Sequence, residues 1–280
     1  MNVVGIRGTN DVEIDVLGHF RLWQSSQKIE LPAGAARLAA LLAVGRGPMP
    51  RLRIATLLWP GSSPSAARTD LRCAVHQLRR DCPRALNVDG EVLLLDAGTY
   101  VDLHEAVRLG SSLSAGTWSG DARYALRLLG DDVLADWADD WLGDVRAQHR
   151  VNRSLALERL SEILSRDRRH GAAVDAALLS VEADSLRESA WLALVRAHVC
   201  EGNLGQALLE AARFEGLLMQ ELGVSVHARF LREIASLVRE RRIAQTSHQP
   251  SSAHAEWRCV DTGRVGMTVN LGSAAPVARR

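Results

Sequence analysis

The first third of the chain alternates between strand-like and helix-like patterns of apolar residues. Residues 12–18 alternate apolar and polar positions, as in a strand with one buried face, and "HFRLWQ" and "KIEL" follow around the turn-prone pair Ser25 and Ser26. The Ala/Leu-rich residues 35–44 predict a helix that ends at the breaker cluster "GRGPMP". Residues 51–60 predict a shorter helix that ends at proline.

The clearest helical period of this part lies in "ARTDLRCAVHQLRR", residues 67–80. Leu71, Val75 and Leu78 fall at i, i+4 and i+7, so they form one apolar stripe on a helix. The opposite side is basic and polar, and it consists of Arg72, His76 and Gln77 with Arg79 or Arg80. A serine-rich loop before the helix offers capping side chains. Two extended runs around the dipeptide Asp89-Gly90 predict a tight hairpin after it.

From about residue 121 the pattern is helical and it repeats. Residues 156–164 resemble residues 190–199, and residues 169–181 resemble residues 203–215, in both cases at a separation of 34 positions. A repeat of this length made of two helices is the tetratricopeptide (TPR) period. Such units bury their apolar faces on one another, so a short helical solenoid is expected.

Charged residues are also distributed unevenly between the two parts of the chain. The formal net charge of the 280 residues is only +1, yet residues 34–84 contain nine arginines against Asp70 and Asp81. A basic module is therefore joined to an acidic one. There is no apolar run of signal-peptide or membrane-span length, and the four cysteines form no CxxC pair. We expect a cytoplasmic protein without membrane association.

Strands, three helices and a hairpin, in that order, predict a winged helix whose third helix enters the DNA major groove. Two sets of motifs extend this interpretation. "VLGHFRLWQSSQKIELP", "LLWPGSSPSAARTDLRCAVHQLRR" and "GTYVDLHEA" resemble the DNA-binding half of the Streptomyces antibiotic regulatory protein (SARP) family. "VLADWADDWLGDVRAQHR", "DSLRESAWLALVRAHVCEGNLGQAL" and "MQELGVSVHARFLREI" resemble its bacterial transcriptional activator domain. The resemblance covers roughly residues 12–243.

The resemblance implies a transcription activator that binds direct repeats near promoters, commonly of secondary-metabolite clusters, and recruits RNA polymerase. Double-stranded DNA and RNA polymerase are the expected partners, a homodimer is a further candidate, and no cofactor or metal is expected. By position and chemistry, the expected DNA-binding residues are Arg51, Arg53, Arg68, Thr69, Arg72, His76, Gln77, Arg80 and Arg84. The resemblance places polymerase contacts in the loop that holds Trp59, Ser62 and Ser63.

The expected fold is mainly α with a small β part, a winged helix followed by a TPR-like helical domain. The expected boundaries are a flexible N-terminus (1–11), the winged helix (12–104), a linker (105–120), the helical domain (121–244) and a disordered tail (245–280).

Two other functions compete with the activator. The first is a TPR-type adaptor with a degenerate winged helix. It is favoured by Gln77, where the family more often has arginine, and by the acidic, apolar wing "EVLLLDAGTYVDL". The second is an enzyme that uses the acidic run of Asp131, Asp132, Asp136, Asp139 and Asp140. The chain has no GxSxG, HExxH or P-loop motif, so we reject catalysis. We expect these aspartates to act as helix caps, and Trp137 and Trp141 to form a packed pair.

Overall fold

The computed structural model describes residues 11–247. Its N-terminal part contains seven short strands and three helices. In chain order these are β1 (Val12–Asp15), β2 (Arg21–Gln24), β3 (Gln27–Ile29), α1 (Ala33–Val44), β4 (Met49–Pro50), α2 (Arg51–Leu58), α3 (Pro64–Asp81), β5 (Leu86–Asp89), β6 (Val92–Leu95) and β7 (Tyr100–Val101).

The first three strands form a meander, as their alternating pattern predicts. β1 pairs antiparallel with β2 and β2 antiparallel with β3, while β7 joins β1 in parallel. The turn between β2 and β3 places both Ser25 (φ 47°) and Ser26 (φ 65°) in the left-handed region. A two-residue turn of this kind matches the twist of a hairpin, which explains why β2 and β3 stay in register.

The helix α3 packs its predicted stripe into the core of this part. Ala67, Leu71, Ala74, Val75 and Leu78 are buried, and α3 packs against α1 and α2. Ser63 is the N-cap, and its hydroxyl accepts the Ala66 backbone N–H at 3.3 Å, while Pro64 occupies the first turn. Both residues favour a helix start at this point.

The predicted hairpin forms the wing. β5 pairs antiparallel with β6, and β4 pairs on the other side of β6. Gly90 lies in the turn with a φ of 55°, a left-handed conformation that glycine adopts without strain. Strands, three helices and this hairpin together confirm the winged-helix fold.

The C-terminal part is helical. Its elements are α4 (Asp102–Ser114), α5 (Ala122–Leu128), α6 (Leu142–Arg166), α7 (His170–Ala183), α8 (Glu188–Glu201), α9 (Leu204–Leu222) and α10 (Ala228–Ser247). α7 and α9 begin at His170 and Leu204, the spacing that the sequence repeat predicts, and successive helices from α6 to α9 pack on one another. Trp191 stacks on Phe214 at 5.5 Å between ring centroids, and Phe214 contacts Phe230 at 5.2 Å.

The segment expected to be a linker, 105–120, has a different structure. Most of it belongs to α4, which buries Leu109 and Leu113 and packs against α6. The buried carboxylate of Asp102, at the start of α4, accepts the backbone N–H groups of Val16 and Leu17 at 2.9 Å each. Residues 11–242 consequently belong to one compact unit.

The expected flexible N-terminus and disordered tail lie outside the described residues, except for Asp11 and the last turn of α10. Within residues 11–247, none of the helices combines the length and the apolar character that a bilayer crossing requires.

Candidate nucleic-acid interface

The exposed face of α3 carries a row of basic side chains opposite the buried stripe. Arg68, Arg72, His76 and Arg79 are exposed and recur at helical spacing, so they project from one side of the helix. Thr69 lies on the same side, where its hydroxyl donates to the Ser65 carbonyl at 3.1 Å. This side of α3 has the donors that base edges and phosphates accept.

The arginines of this region differ in whether an acidic group already neutralises them. Arg80 donates two hydrogen bonds to Asp81, at 2.7 and 2.8 Å, and this arginine holds the pKa of the Asp81 carboxyl below its usual value. Arg84 is paired with Asp11 at 2.5 Å. Among the described residues, Arg72 and Arg79 have no acidic partner within ion-pair distance.

Arg79 is the residue that the predicted set omits. It lies seven positions after Arg72 on the same helix, so the helical period could have identified it. The sequence could not show that Arg80, rather than Arg79, turns towards Asp81. The free basic group at the end of the helix is therefore Arg79.

The first turn of α2 extends the basic surface. Arg51 lines one shallow depression together with Arg72, His76, Arg79 and Arg80. Its backbone N–H donates to the Glu91 carbonyl at 2.9 Å, which ties the start of α2 to the wing. Arg53 is exposed two positions further along the same turn. The fold thus brings α2, α3 and the wing tip together around one surface.

The wing tip has the opposite charge. Asp89 and Glu91 are exposed on either side of Gly90, and residues 86–95 contain no lysine or arginine. Phosphate groups near this turn would be repelled by the two carboxylates, because both kinds of group are negatively charged. The acidic wing inferred from the sequence is thus also acidic at its exposed tip.

The remaining predicted residues have local structural contacts. Gln77 is half-buried on the flank of α3 rather than exposed at its basic face. Trp59 is half-buried, and its ring lies near Gly34 at the start of α1. Ser63 caps α3, whereas Ser62 is exposed in the loop before it. Of the three predicted polymerase-contact residues, Ser62 therefore has the side chain most available to a partner.

The acidic run binds the winged helix instead of capping α6. The N-cap of α6 is Trp141, without a side-chain cap, so the expected capping role is wrong for this helix. Asp139 pairs with Arg37 of α1, and Asp136 lies 3.3 Å from the ring of His19.

Backbone contacts reinforce this docking. The N–H groups of Leu134 and Ala135 donate to the carbonyls of Val16 and Gly18, both at 2.8 Å. The ring centroids of Trp137 and Phe20 lie 5.8 Å apart, so this tryptophan anchors the segment on the N-terminal part. Residues 131–139 therefore hold the winged helix against the helical part.

Metal ligation has no support in the part of the chain from 11 to 247. No cluster of three or more His, Cys, Asp or Glu side chains there could hold an ion. The aspartates of the acidic run are spread along an irregular segment, where Asp136 contacts His19, and Asp139 contacts Arg37 and the indole N–H of Trp141.

Comparison with known proteins agrees with this architecture. The family model described as "Bacterial transcriptional activator domain" matches residues 101–239. Among solved structures, Mycobacterium tuberculosis EmbR, determined in complex with a low-affinity phosphopeptide, is similar in fold with a TM-score of 0.68 at 20% identity. The match covers 85% of this chain and 69% of the EmbR chain. No curated protein sequence matches the chain.

Proposed function

We propose that this chain, whose residues 101–239 match the bacterial transcriptional activator domain, is a SARP-type regulator that binds DNA sequence-specifically and activates transcription. The supporting observation is the exposed basic face of α3. Arg68, Arg72, His76 and Arg79 project from the helix that a winged helix inserts into the major groove. They point away from the core, and Arg72 and Arg79 are not neutralised by an acidic neighbour among the described residues.

The roles of the arginines follow from their positions. Arg72, in the middle of α3, is placed to donate to base edges, as an arginine fork does towards guanine. Arg51 and Arg53 stand at the first turn of α2, where helix N–H groups and the helix dipole also favour phosphate. Arg80 and Arg84 would have to leave Asp81 and Asp11 to reach DNA, so we rank them below Arg79.

The finer parts of the proposal rest on the resemblance to the family. We propose that the sites are direct repeats near promoters, in secondary-metabolite clusters, and that the loop with Trp59, Ser62 and Ser63 contacts RNA polymerase. Two copies on one repeat would give a homodimer on DNA. The cytoplasm, where bacterial DNA lies, is the corresponding location.

Salt-dependent binding tests the proposal. Fluorescence anisotropy would follow wild type, Arg53→Ala, Arg72→Ala and the control Arg123→Ala, an exposed arginine of α5. Removing one phosphate-binding side chain should reduce the slope of log K against log salt by about 0.9. Arg53→Ala should weaken specific and random DNA alike, while Arg72→Ala should cost about 1–3 kcal/mol on specific DNA alone.

Three results would count against it. Equal losses on specific and random DNA for Arg72→Ala would remove its role in reading bases. The DNA-binding function itself would be refuted if the affinity of the wild type for DNA did not depend on salt. It would also be refuted if Arg53→Ala and Arg72→Ala both bound DNA as tightly as the wild type.

A TPR-type adaptor remains the second candidate, because two observations favour it. The wing tip is acidic, and the half-buried Gln77 does not add to the basic face. An adaptor of this kind would bind no DNA fragment even at low salt, whereas the activator binds most tightly there.

A further inference from the structure

A groove of about 550 Å³ runs along the helical part, between α6 and α8. The five residues that α8 contributes to its lining follow five lining residues of α6 at a separation of 34 positions. These pairs are Leu155 with Ser189, Glu158 with Leu192, Arg159 with Ala193, Glu162 with Arg196, and Arg166 with Cys200. Each set falls at i, i+3, i+4, i+7 and i+11, so it forms one face of its helix. The groove therefore arises from the repeat, because equivalent faces of two repeats lie side by side.

The floor of this groove is apolar and accessible to solvent. It consists of Leu155, Leu192 and Ala193, with Leu237 of α10. Leu155 is 43% exposed, and the other three side chains are half-buried. The lining of α6 and of α8 extends over eleven residues of each helix, which is about 17 Å or about three helical turns. A partner helix of about this length would remove the floor from water, and that burial favours binding.

Two ion-pair clusters adjoin the floor, and in each of them two arginines share one glutamate. The nitrogen–oxygen distances to Glu162 are 2.5 Å from Arg159 and 2.6 Å from Arg166, and those to Glu233 are 2.7 Å from Arg196 and 3.2 Å from Arg229. One carboxylate neutralises one guanidinium, so each cluster retains an excess positive charge. The four arginine side chains are more than half exposed, so a partner in the groove can reach them.

The remaining glutamate of the lining does not cancel this excess. The carboxylate of Glu158 accepts the Arg187 side-chain N–H at 2.7 Å and the Ser189 hydroxyl at 2.9 Å. It is therefore neutralised by an arginine of its own. The positive charge is also local, because residues 121–247 as a whole contain twenty acidic residues and only seventeen arginines. Among the described residues, the groove is thus a basic surface in a helical part that is acidic overall.

The sign of this charge selects the occupant. Residues 248–280 of the same chain contain four arginines and two acidic residues, so the basic clusters would repel them. A segment that complements the groove needs apolar side chains for the floor and carboxylates for the two clusters. An amphipathic helix presents both kinds of side chain when its apolar residues recur at i, i+3, i+4 and i+7.

We propose that this groove binds an acidic amphipathic helix of a partner protein. Its apolar stripe would lie on the leucines of the floor, and its carboxylates would pair with the arginines of the two clusters. The proposal does not rest on DNA binding, since none of these residues belongs to α2, α3 or the wing.

Fluorescence anisotropy of the full chain with a labelled synthetic helix tests the proposal. The probe is a peptide of about 14 residues with leucine at i, i+3, i+4 and i+7 and glutamate elsewhere. One control peptide has the same composition in scrambled order, and the other has lysine in place of glutamate. We expect the probe to bind in the micromolar range. Each control should bind at least about ten-fold more weakly, because it lacks the apolar stripe or the charge pairing.

Two variants and two matched controls locate the site. Leu155→Gln removes an exposed leucine of the floor, and its control Leu209→Gln removes an exposed leucine of α9 outside the groove. Arg196→Gln removes one charge of the groove, and its control Arg123→Gln removes one from α5. The groove variants should bind the probe about three- to ten-fold more weakly, and the controls should bind it as wild type does. A thermal melt of each variant establishes that it is folded.

Cys200 provides a measurement on the unaltered chain. Its half-buried thiol lines the groove, whereas Cys73 is exposed on α3 and serves as the internal control. Alkylation by iodoacetamide would be followed at each cysteine by mass spectrometry. With the probe at about ten times its Kd, Cys200 should react about ten-fold more slowly, because only about a tenth of the grooves are free. Cys73 should react at the same rate with and without the probe.

Four results would overturn the proposal. They are equal affinity for the probe and the scrambled peptide, equal or tighter binding of the lysine peptide, unchanged affinity in both groove variants, and unchanged alkylation of Cys200 with the probe bound. A peptide of residues 248–280 that displaces the probe at lower concentration would instead assign the groove to this chain's own C-terminal segment. A dimer that Leu155→Gln dissociates would assign it to a second copy. DNA binding measured on the same samples is independent of each of these results.

Discussion

Arg146 holds the acidic segment in place, and its removal gives the sharpest structural prediction. From the second turn of α6 its side chain donates to three backbone carbonyls, those of Val133, Leu134 and Trp137. The bonds to Val133 and Trp137 are both 2.8 Å long. These carbonyls belong to the segment that binds Val16 and Gly18, directly after β1, and Phe20. We therefore expect Arg146→Met to loosen the contact between the winged helix and the helical part.

The magnitude follows from the number of bonds. A hydrogen bond to a charged group contributes about 1.5–3 kcal/mol, so two well-formed bonds contribute about 3–6 kcal/mol. Arg146 is only half-buried, so water can replace part of the hydrogen bonding that the variant loses. We therefore expect the free energy of unfolding to fall by about 3 kcal/mol. In a domain of this size that corresponds to a Tm about 6–12 °C lower.

Thermal unfolding and hydrogen exchange measure the effect. The control Arg150→Met removes an exposed arginine one turn further along α6. In Arg146→Met the amides of Leu134 and Ala135, which donate to Val16 and Gly18, should exchange faster than in the control. A Tm equal to that of Arg150→Met, with unchanged exchange at both amides, would refute the role given to Arg146.

Three further predictions concern the wing, the helix cap and pH. Glu91→Lys should raise DNA affinity several-fold and steepen the slope of log K against log salt by about 1–2, because a group that repels phosphate is replaced by one that attracts it. An unchanged slope would place the wing away from DNA. Ser63→Ala should cost about 1 kcal/mol through loss of the α3 cap, and Ser62→Ala should not; equal melting of the two variants would contradict this. Burial lowers the pKa of His149, so below about pH 6.5 the unfolded chain takes up a proton that the native ring resists. Wild type should therefore lose more stability than His149→Gln as pH falls from about 7 to 5, and parallel curves would contradict the assignment.

The winged helix can be predicted because its signals are local. The stripe of Leu71, Val75 and Leu78, the serine turn before β3 and the dipeptide Asp89-Gly90 each fix a short element through its own residues. The repeat at 34 positions predicts the helical pairs in the same way. Periodicity is sufficient wherever neighbouring residues determine the structure.

The rest depends on contacts between distant residues. The partner of Asp139 is Arg37, 102 positions away, and nothing near Asp139 in the sequence indicates it. The pairing of Arg80 with Asp81 and the exposure of Arg79 depend on how the last turn of α3 is oriented. The sequence predicts a linker where α4 lies, because glycine and serines mask Leu109 and Leu113, which become a buried stripe only against α6.

Selection from a random DNA library tests the central claim most directly. The wild-type chain and an Arg72→Ala/Arg79→Ala variant would be incubated with the library at low salt, and the bound fragments would be sequenced. We expect a shared direct repeat that wild type enriches and the variant does not. Failure of wild type to enrich any common sequence, or enrichment of the same repeat by both proteins, would contradict recognition through α3.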